Sequence, residues 1–177
     1  MDLVGSLVRL RAPRPDDAEA IVANIADPEV VRYLGTWAWN PYSPEDFAGF
    51  VGSASRSEVL WAIEALDDGR CVGMTGLDRI DQRSRHCWWG IHLGPPSRWG
   101  RGYGTEACVL ATRFAFQHLG MEKVCLFVYE GNERARRIYE RCGYRLEGTL
   151  PRDTMLEGRL VGKHVMAAFR DGPAAGG

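Results

Sequence analysis

The segment SRWGRGYGTEA, Ser97 to Ala107, sets three glycines at alternate positions, Gly100, Gly102 and Gly104, between a strand-like run and a helix-like one. Glycine suits places where the backbone must bend sharply or be approached closely. A loop after a strand and before a helix can turn backbone N–H groups onto an anion, aided by the positive end of the helix dipole. Gly102 and Gly104 put no Cβ in the way of an oxygen-rich group. The spacing therefore suits a pyrophosphate cradle; a plain tight turn is the other reading. Two other phosphate loops do not fit. A Walker loop ends Gly-Lys-Ser/Thr, whereas this one ends Gly104-Thr105-Glu106, and the dinucleotide fingerprint GxGxxG needs a glycine where Thr105 stands.

A second chemical element is NERARRIYERCGY. Asn132 and Tyr139 lie seven residues apart, two helical turns, so both point the same way, with the small Ala135 between them. If the two strand-to-helix crossings lie side by side, both helix N-termini reach one sheet edge. That edge is where open α/β sheets bind ligands.

The elements that must position these residues follow from pattern. SLVRLRA alternates as a half-buried strand, and PDDAEAIVANI reads as an amphipathic helix with an acidic first turn. DPEVVRYL suggests a short helix, and SPEDFAGFVGSA one capped by Ser43 with Pro44 at its first position. EVLWAIEAL and RCVGMTGL form a hairpin through DDG, and HCWWGIHL is a third strand after DQRSR. The glycine loop leads into a helix whose positions 107, 110, 111, 114 and 115 share an apolar face, stopped by Gly120. KVCLFVY is a strand, NERARRIYERCG a helix capped by Asn132, and YRLEGTL and LVGKHVMAAF two further strands. Antiparallel strands early and β-loop-α-β-α late point to an α/β (α+β) domain with a mixed central sheet.

The chain of 177 residues is expected to form one domain over 1–170, with an unstructured tail at 171–177. A formal net charge of −1 argues against general nucleic-acid or membrane binding. Five scattered cysteines without a CxxC pair predict reduced thiols, no metal site and a cytoplasmic protein. The start lacks the pattern of a signal peptide, and no run of 18 apolar residues is present.

Together the motifs resemble the GNAT superfamily of acyl-CoA-dependent N-acetyltransferases, and within it the RimJ/RimL-like branch. The family's pyrophosphate loop, Q/R-x-x-G-x-G/A, is matched by Trp99-Gly100-Arg101-Gly102-Tyr103-Gly104, departing at Trp99. Its N-x-x-A-x-x-[IL]-Y-x-[KR]-x-G-[FY] element is matched by Asn132, Ala135, Ile138, Tyr139, Arg141, Gly143 and Tyr144, and likeness extends over about residues 7–169. The resemblance implies a three-layer domain whose mostly antiparallel sheet splits into a V-shaped acyl-CoA gap. It implies acetyl-CoA as co-substrate, with no metal, and an acceptor that is a protein N-terminus, polyamine, amino sugar, antibiotic or other small amine. The protein would be a monomer or homodimer.

Residue by residue, the resemblance implies that the main chain of Ile91, His92 and Leu93 holds the pantetheine arm. The amides of Arg101 to Thr105 (Gly102, Tyr103 and Gly104 between them) would hold the pyrophosphate, with Arg101 or Arg137 neutralising phosphate charge. Tyr139 would act as general acid on the departing thiolate. Asn132 would bond the pantetheine, cap its helix, or both. The arginines at 134, 136, 137 and 141 would attract a phosphate or form a solvated face. Many GNAT enzymes carry a carboxylate base on the strand before the loop, where this chain has Trp88 and Trp89. His92 falls on the face opposite Trp89, and Glu106 reads equally as first-turn electrostatics. TWAWNPY and WW either wall the acceptor site or pack. A catalytically degenerate acyl-CoA sensor is the reading that a missing base would favour.

Overall fold

The alternating run Val8–Arg11 buries Val8 and Leu10 completely and becomes an inner strand, flanked by a two-residue edge strand that the sequence pattern does not reveal. The computed structural model describes residues 1–39, 41–52 and 58–172. In chain order the strands are β1 (Leu3–Val4), β2 (Val8–Arg11), β3 (Val59–Ala65), β4 (Cys71–Asp81), β5 (His86–Leu93), β6 (Lys123–Tyr129), β7 (Arg145–Leu156) and β8 (Arg159–Phe169). The helices are α1 (Asp17–Ile25), α2 (Pro28–Val31), α3 (Pro44–Gly52), α4 (Tyr103–Gln117) and α5 (Glu133–Arg141). The strands form one sheet in the order β1-β2-β3-β4-β5-β6-β8-β7, antiparallel throughout except for β5 and β6. None of the helices is long and apolar enough to cross a membrane, among the described residues.

Helices cover both faces. Small residues on α4, Ala107, Cys108, Ala111, Thr112 and Ala115, are buried against Trp61, Leu77, Trp89 and Val124, so this helix lies close to the sheet. The buried stripe is rotated from the expected one: Leu110 and Phe114 only pack partly against this core. On the other face Ile21 and Phe47 of α1 and α3 meet Met74 of β4. The helix starts follow their sequences. The Asp27 carboxylate accepts from the Glu29 N–H at 2.8 Å with Pro28 next, and Ser43 and Asp46 exchange two bonds of 3.1 Å as a capping box.

The last hairpin exceeds its expected length. β7 runs past Leu150 to Leu156, because a bulge between Leu150 and Thr154 absorbs Pro151, which cannot donate to the ladder. The tail expected at 171–177 lies outside the described residues except for Asp171 and Gly172, where Gly172 N–H bonds Phe169 O at 3.0 Å.

Two polar anchors fix the layers. Buried Arg11 donates to both Asp17 oxygens at 2.7 and 2.8 Å and to Glu64, tying α1 to β2 and β3. Glu106, in the first turn of α4, accepts from the N–H groups of Ser6, Leu7 and Val8 and from the Ser6 hydroxyl, each at 2.7 Å. Burial pushes the Glu106 carboxyl up, but these bonds outweigh it and hold its pKa below the ordinary range. Its stabilisation is therefore complete above that range and lost as pH falls through the depressed folded value. Glu106→Gln sets an amide NH2 among converging donors. It should lower stability by about 2 kcal/mol, a Tm drop of roughly 4–8 °C at neutral pH. In thermal melts the gap between wild type and variant should close in acid; a gap unchanged in acid would contradict the anchor.

Candidate active site

The chain leaves β5 through a short 3-10 turn, Pro96–Arg98, and enters α4 by two left-handed glycines, Gly100 at φ +80° and Gly102 at φ +89°. This curl leaves the backbone N–H groups of Gly100 to Thr105 without an acceptor among the described residues; pairing resumes with Glu106 N–H to Gly102 O at 3.0 Å. Six free amides at the start of a 15-residue helix form a ready anion site. A Cβ added to Gly104 would meet no atom within 4 Å, so the space beside it is open. The loop is held from behind. The Tyr103 hydroxyl donates to Asp67 at 2.7 Å, Arg101 pairs with Asp67 at 3.5 Å, and Arg98 pairs with Asp68.

β5 and β6 run parallel and pair only from His86–Trp88 to Lys123–Cys125, then part. Gly94 N–H bonds Val72 O at 2.9 Å, which sets the antiparallel alternation with β4. It turns the main chain of Gly90 and His92 toward β4 and that of Ile91 and Leu93 toward the gap. The Leu93 carbonyl is already taken, by the Trp99 indole N–H at 2.6 Å. Arg134, in the first turn of α5, lies over the same indole at 4.4 Å from the ring centre. Trp99 thus links the end of β5, the glycine loop and α5.

Asn132 caps α5, its side-chain oxygen accepting from Ala135 N–H at 3.2 Å, which leaves the amide NH2 free to donate. Two turns on, Tyr139 meets the edge of Trp89 at 5.5 Å between ring centres and 88° between planes. Its hydroxyl has no hydrogen-bond partner among the described residues. Burial, with a smaller push from the Cys108 and Cys142 thiols, raises the phenol above its ordinary pKa, so it is neutral and a hydrogen-bond donor.

Behind the parted strands lies one cleft of about 880 Å3, lined from both faces of the sheet. Its wall on the α1–α3 side holds two titratable groups, Asp78, for which the sequence pattern carries no signal beyond residue type, and His92, which strand alternation sets on the face opposite Trp89. Asp78 of β4 stands across from Trp88, and its carboxylate makes no hydrogen bond or ion pair with the described residues. Asp78 is exposed to solvent, and the part of its carboxyl that the cleft wall desolvates raises its pKa; Arg79 pulls it down and Glu58 pushes it up. The second is His92, 8% exposed, whose Nε2 is buried without a partner. Trp88 stacks on Phe127 at 4.2 Å where the strands separate, with Arg79 over Trp88 at 5.4 Å.

The expected site residues divide accordingly. Ile91, Leu93, Trp99, Gly104, Asn132 and Tyr139 line the cleft together with Trp88 and Trp89. Gly100, Arg101, Gly102, Tyr103 and Thr105 do not, and the Arg101 and Tyr103 side chains serve Asp67 instead. The main chain of His92 serves β4, while its ring lines the cleft. Arg137 is exposed and outside the lining, whereas Arg134 is within it. Within TWAWNPY, Trp37 lines the cleft; Asn40 lies outside the described residues.

Residues 8–145 match the family model of the acetyltransferase (GNAT) domain. The chain belongs to the GNAT acetyltransferase family. Among its GNAT relatives, the putative ribosomal N-acetyltransferase YdaF of Bacillus subtilis is 31% identical over 152 residues, 82% of this chain and 81% of its own. The spermidine N(1)-acetyltransferase of Escherichia coli K12 is 28% identical over 168 residues, 92% of this chain and 86% of its own. In structure, a spermidine N-acetyltransferase from Vibrio cholerae in complex with CoA and spermine superposes with a TM-score of 0.82 at 23% identity, over 94% of this chain and 97% of that one. That likeness shows a shared GNAT fold, and the protein is an N-acetyltransferase.

Burial depresses the His92 pKa to about 4. The unfolded chain protonates this ring near 6.5 while the folded one does not, so the group costs stability as pH falls from about 6.5 toward 4. NMR of the imidazole should show a neutral ring throughout the range in which free histidine titrates. A midpoint at the free value would contradict the buried environment.

Proposed function

We propose that the protein transfers an acetyl group from acetyl-CoA directly to the primary amine of a small molecule. The observation that carries this reading is the row of six amides without an acceptor among the described residues, Gly100 to Thr105, of which Gly104 lines a gap whose wall also bears Tyr139. Pyrophosphate is the anion such a row suits, and the open space beside Gly104 admits it. Arg134, over the Trp99 ring, adds charge at the same cleft. The free main chain of Ile91 and the Asn132 amide would bond the pantetheine arm. The loop and α5 motifs also support placement in the RimJ/RimL-like branch, and five unpaired thiols are in keeping with a cytoplasmic setting.

Transfer needs two proton movements. The incoming ammonium must lose a proton before its nitrogen can attack the thioester carbon. Asp78, with its raised pKa and no ion-pair partner, is suited to receive it, directly or through one water. As the carbon–sulfur bond breaks, the Tyr139 hydroxyl donates to the sulfur. A phenol of raised pKa gives up its proton less readily than a free one, so its contribution is chiefly a hydrogen bond to the developing thiolate. The attacking nitrogen sheds its second proton to solvent, and the released thiolate takes one up from solvent as it leaves, the Tyr139 hydroxyl keeping its own. With a carboxylate in the cleft, the case for a catalytically silent sensor loses its motive.

The acceptor-side wall supports a small amine. Glu29, Glu58 and Asp78 supply negative potential for a cationic substrate, and Trp37, Phe47 and Trp88 supply apolar faces. The spermidine acetyltransferase relatives agree with an amine of this size.

The test is release of the CoA thiol from acetyl-CoA across a panel of small amines and N-terminal peptides. Turnover with a small amine is expected; tight CoA binding without turnover on any amine would refute the reading. Gly104→Val should weaken CoA binding at least about tenfold with an unchanged Tm, since the new side chain enters the space meant for the anion. Unchanged affinity would sink the cradle. Asp78→Asn and Tyr139→Phe should each lower kcat by roughly a hundredfold with CoA affinity kept; an equal loss of affinity would make either residue structural instead.

A further inference from the structure

The β4–β5 register sets Asp78 across from Trp88, Gly76 across from Gly90 and Met74 across from His92. Trp88, Gly90 and His92 therefore share the face turned to α1–α3. The outer two are four residues apart, roughly 13 Å along the strand. Between them a Cβ on Gly90 would meet nothing within 4 Å, so the floor of the acceptor side is open there. Asp78 and Trp88 bound this floor at one end and His92 at the other.

The His92 ring forms no hydrogen bond with any described residue, and its nearest ring neighbour is Trp37, at 6.0 Å between centres. Nε2 is sealed without a partner, which leaves Nδ1 as the nitrogen with access to the cleft. A neutral imidazole carries one N–H and one lone pair. Orphaned buried N–H groups are rarer than under-satisfied acceptors. The favoured tautomer therefore keeps the lone pair on Nε2 and presents Nδ1–H to the cleft. The transfer chemistry described above makes no use of this donor.

We propose that His92 reads the acceptor: Nδ1–H donates to an oxygen carried by the amine substrate, while the reacting nitrogen lies toward Asp78. This deepens the acetyltransferase reading and rests on it. The substrate class is a primary amine bearing a hydroxyl or carbonyl oxygen, as in an amino alcohol, an amino sugar or the first residue of a peptide. A diamine or polyamine fits less well, because a second ammonium offers only donors to a donor. Sites built to bond a substrate oxygen discriminate strongly against analogues that lack it.

The experiment measures binding of three length-matched acceptors, an amino alcohol, a diamine and an alkylamine, together with a short peptide amide, by calorimetry on the CoA-saturated protein. Turnover is recorded in parallel with acetyl-CoA. Wild type should bind the amino alcohol or the peptide at least about tenfold more tightly than the diamine and alkylamine. The peptide and amino-alcohol arms tell the two oxygen sources apart. His92→Phe should abolish that preference, raising KM for the oxygen-bearing acceptor while kcat and CoA affinity hold. His92→Asn, which keeps a donor near Nδ1, should restore part of it and guards against a folding defect in the phenylalanine variant. A preference for the diamine, or equal effects of His92→Phe on every acceptor, would overturn the proposal. Because binding is read on the CoA complex, a preference that depends on His92 without turnover would sustain the recognition role and refute the transfer reading instead.

Discussion

The structure turns on a parallel strand pair that stops. β5 and β6 hydrogen-bond over three residues, His86–Trp88 with Lys123–Cys125, and then diverge. Each remains held on its outer side, β5 by β4 and β6 by β8, so the sheet survives the split. Main-chain groups facing the gap lose strand partners they would otherwise require. Trp99 satisfies one of them by donating to Leu93 O. Those that remain, Ile91 foremost, suit a ligand with amide groups of its own.

The same split brings the two helix N-termini together. A parallel pair needs a crossover connection, here the glycine loop and α4, and β6 then feeds α5 at the same sheet edge. Helix dipoles, free amides and Arg134 converge there, while Asp78 and His92 stand on the opposite face of the sheet. Donor and acceptor sides are thus separated by the sheet and joined where it opens. The anchors outside the site serve this geometry. Glu106 pins α4 to the β1–β2 turn, Tyr103 and Arg101 pin the loop to Asp67, and the Arg11–Asp17–Glu64 group sets α1 against the sheet.

Sequence reasoning reached the parts of the site that are local. Alternate glycines before a helix, and Asn132 seven residues from Tyr139, express constraints contained within one segment. What it could not reach depends on strand register. Asp78 sits in the cleft because β4 pairs with β5 so that 78 meets 88, and neither segment reveals that pairing by itself. Trp99 looked like a departure from the family loop; its indole N–H bonds the carbonyl of Leu93, a tertiary contact six residues back. Among four arginines on one helix, only placement over Trp99 distinguishes Arg134 from Arg137. The expected strand YRLEGTL stops at Leu150, because a bulge that absorbs a proline has no signature in alternation.

Amide hydrogen exchange with and without CoA reads the N–H groups on which the donor site is built. Gly100 to Thr105 should exchange rapidly in the free protein and slow strongly at saturating CoA, while the amides of the β7–β8 hairpin stay unchanged. Bound CoA that leaves exchange at Gly100 to Thr105 unaltered would contradict the account.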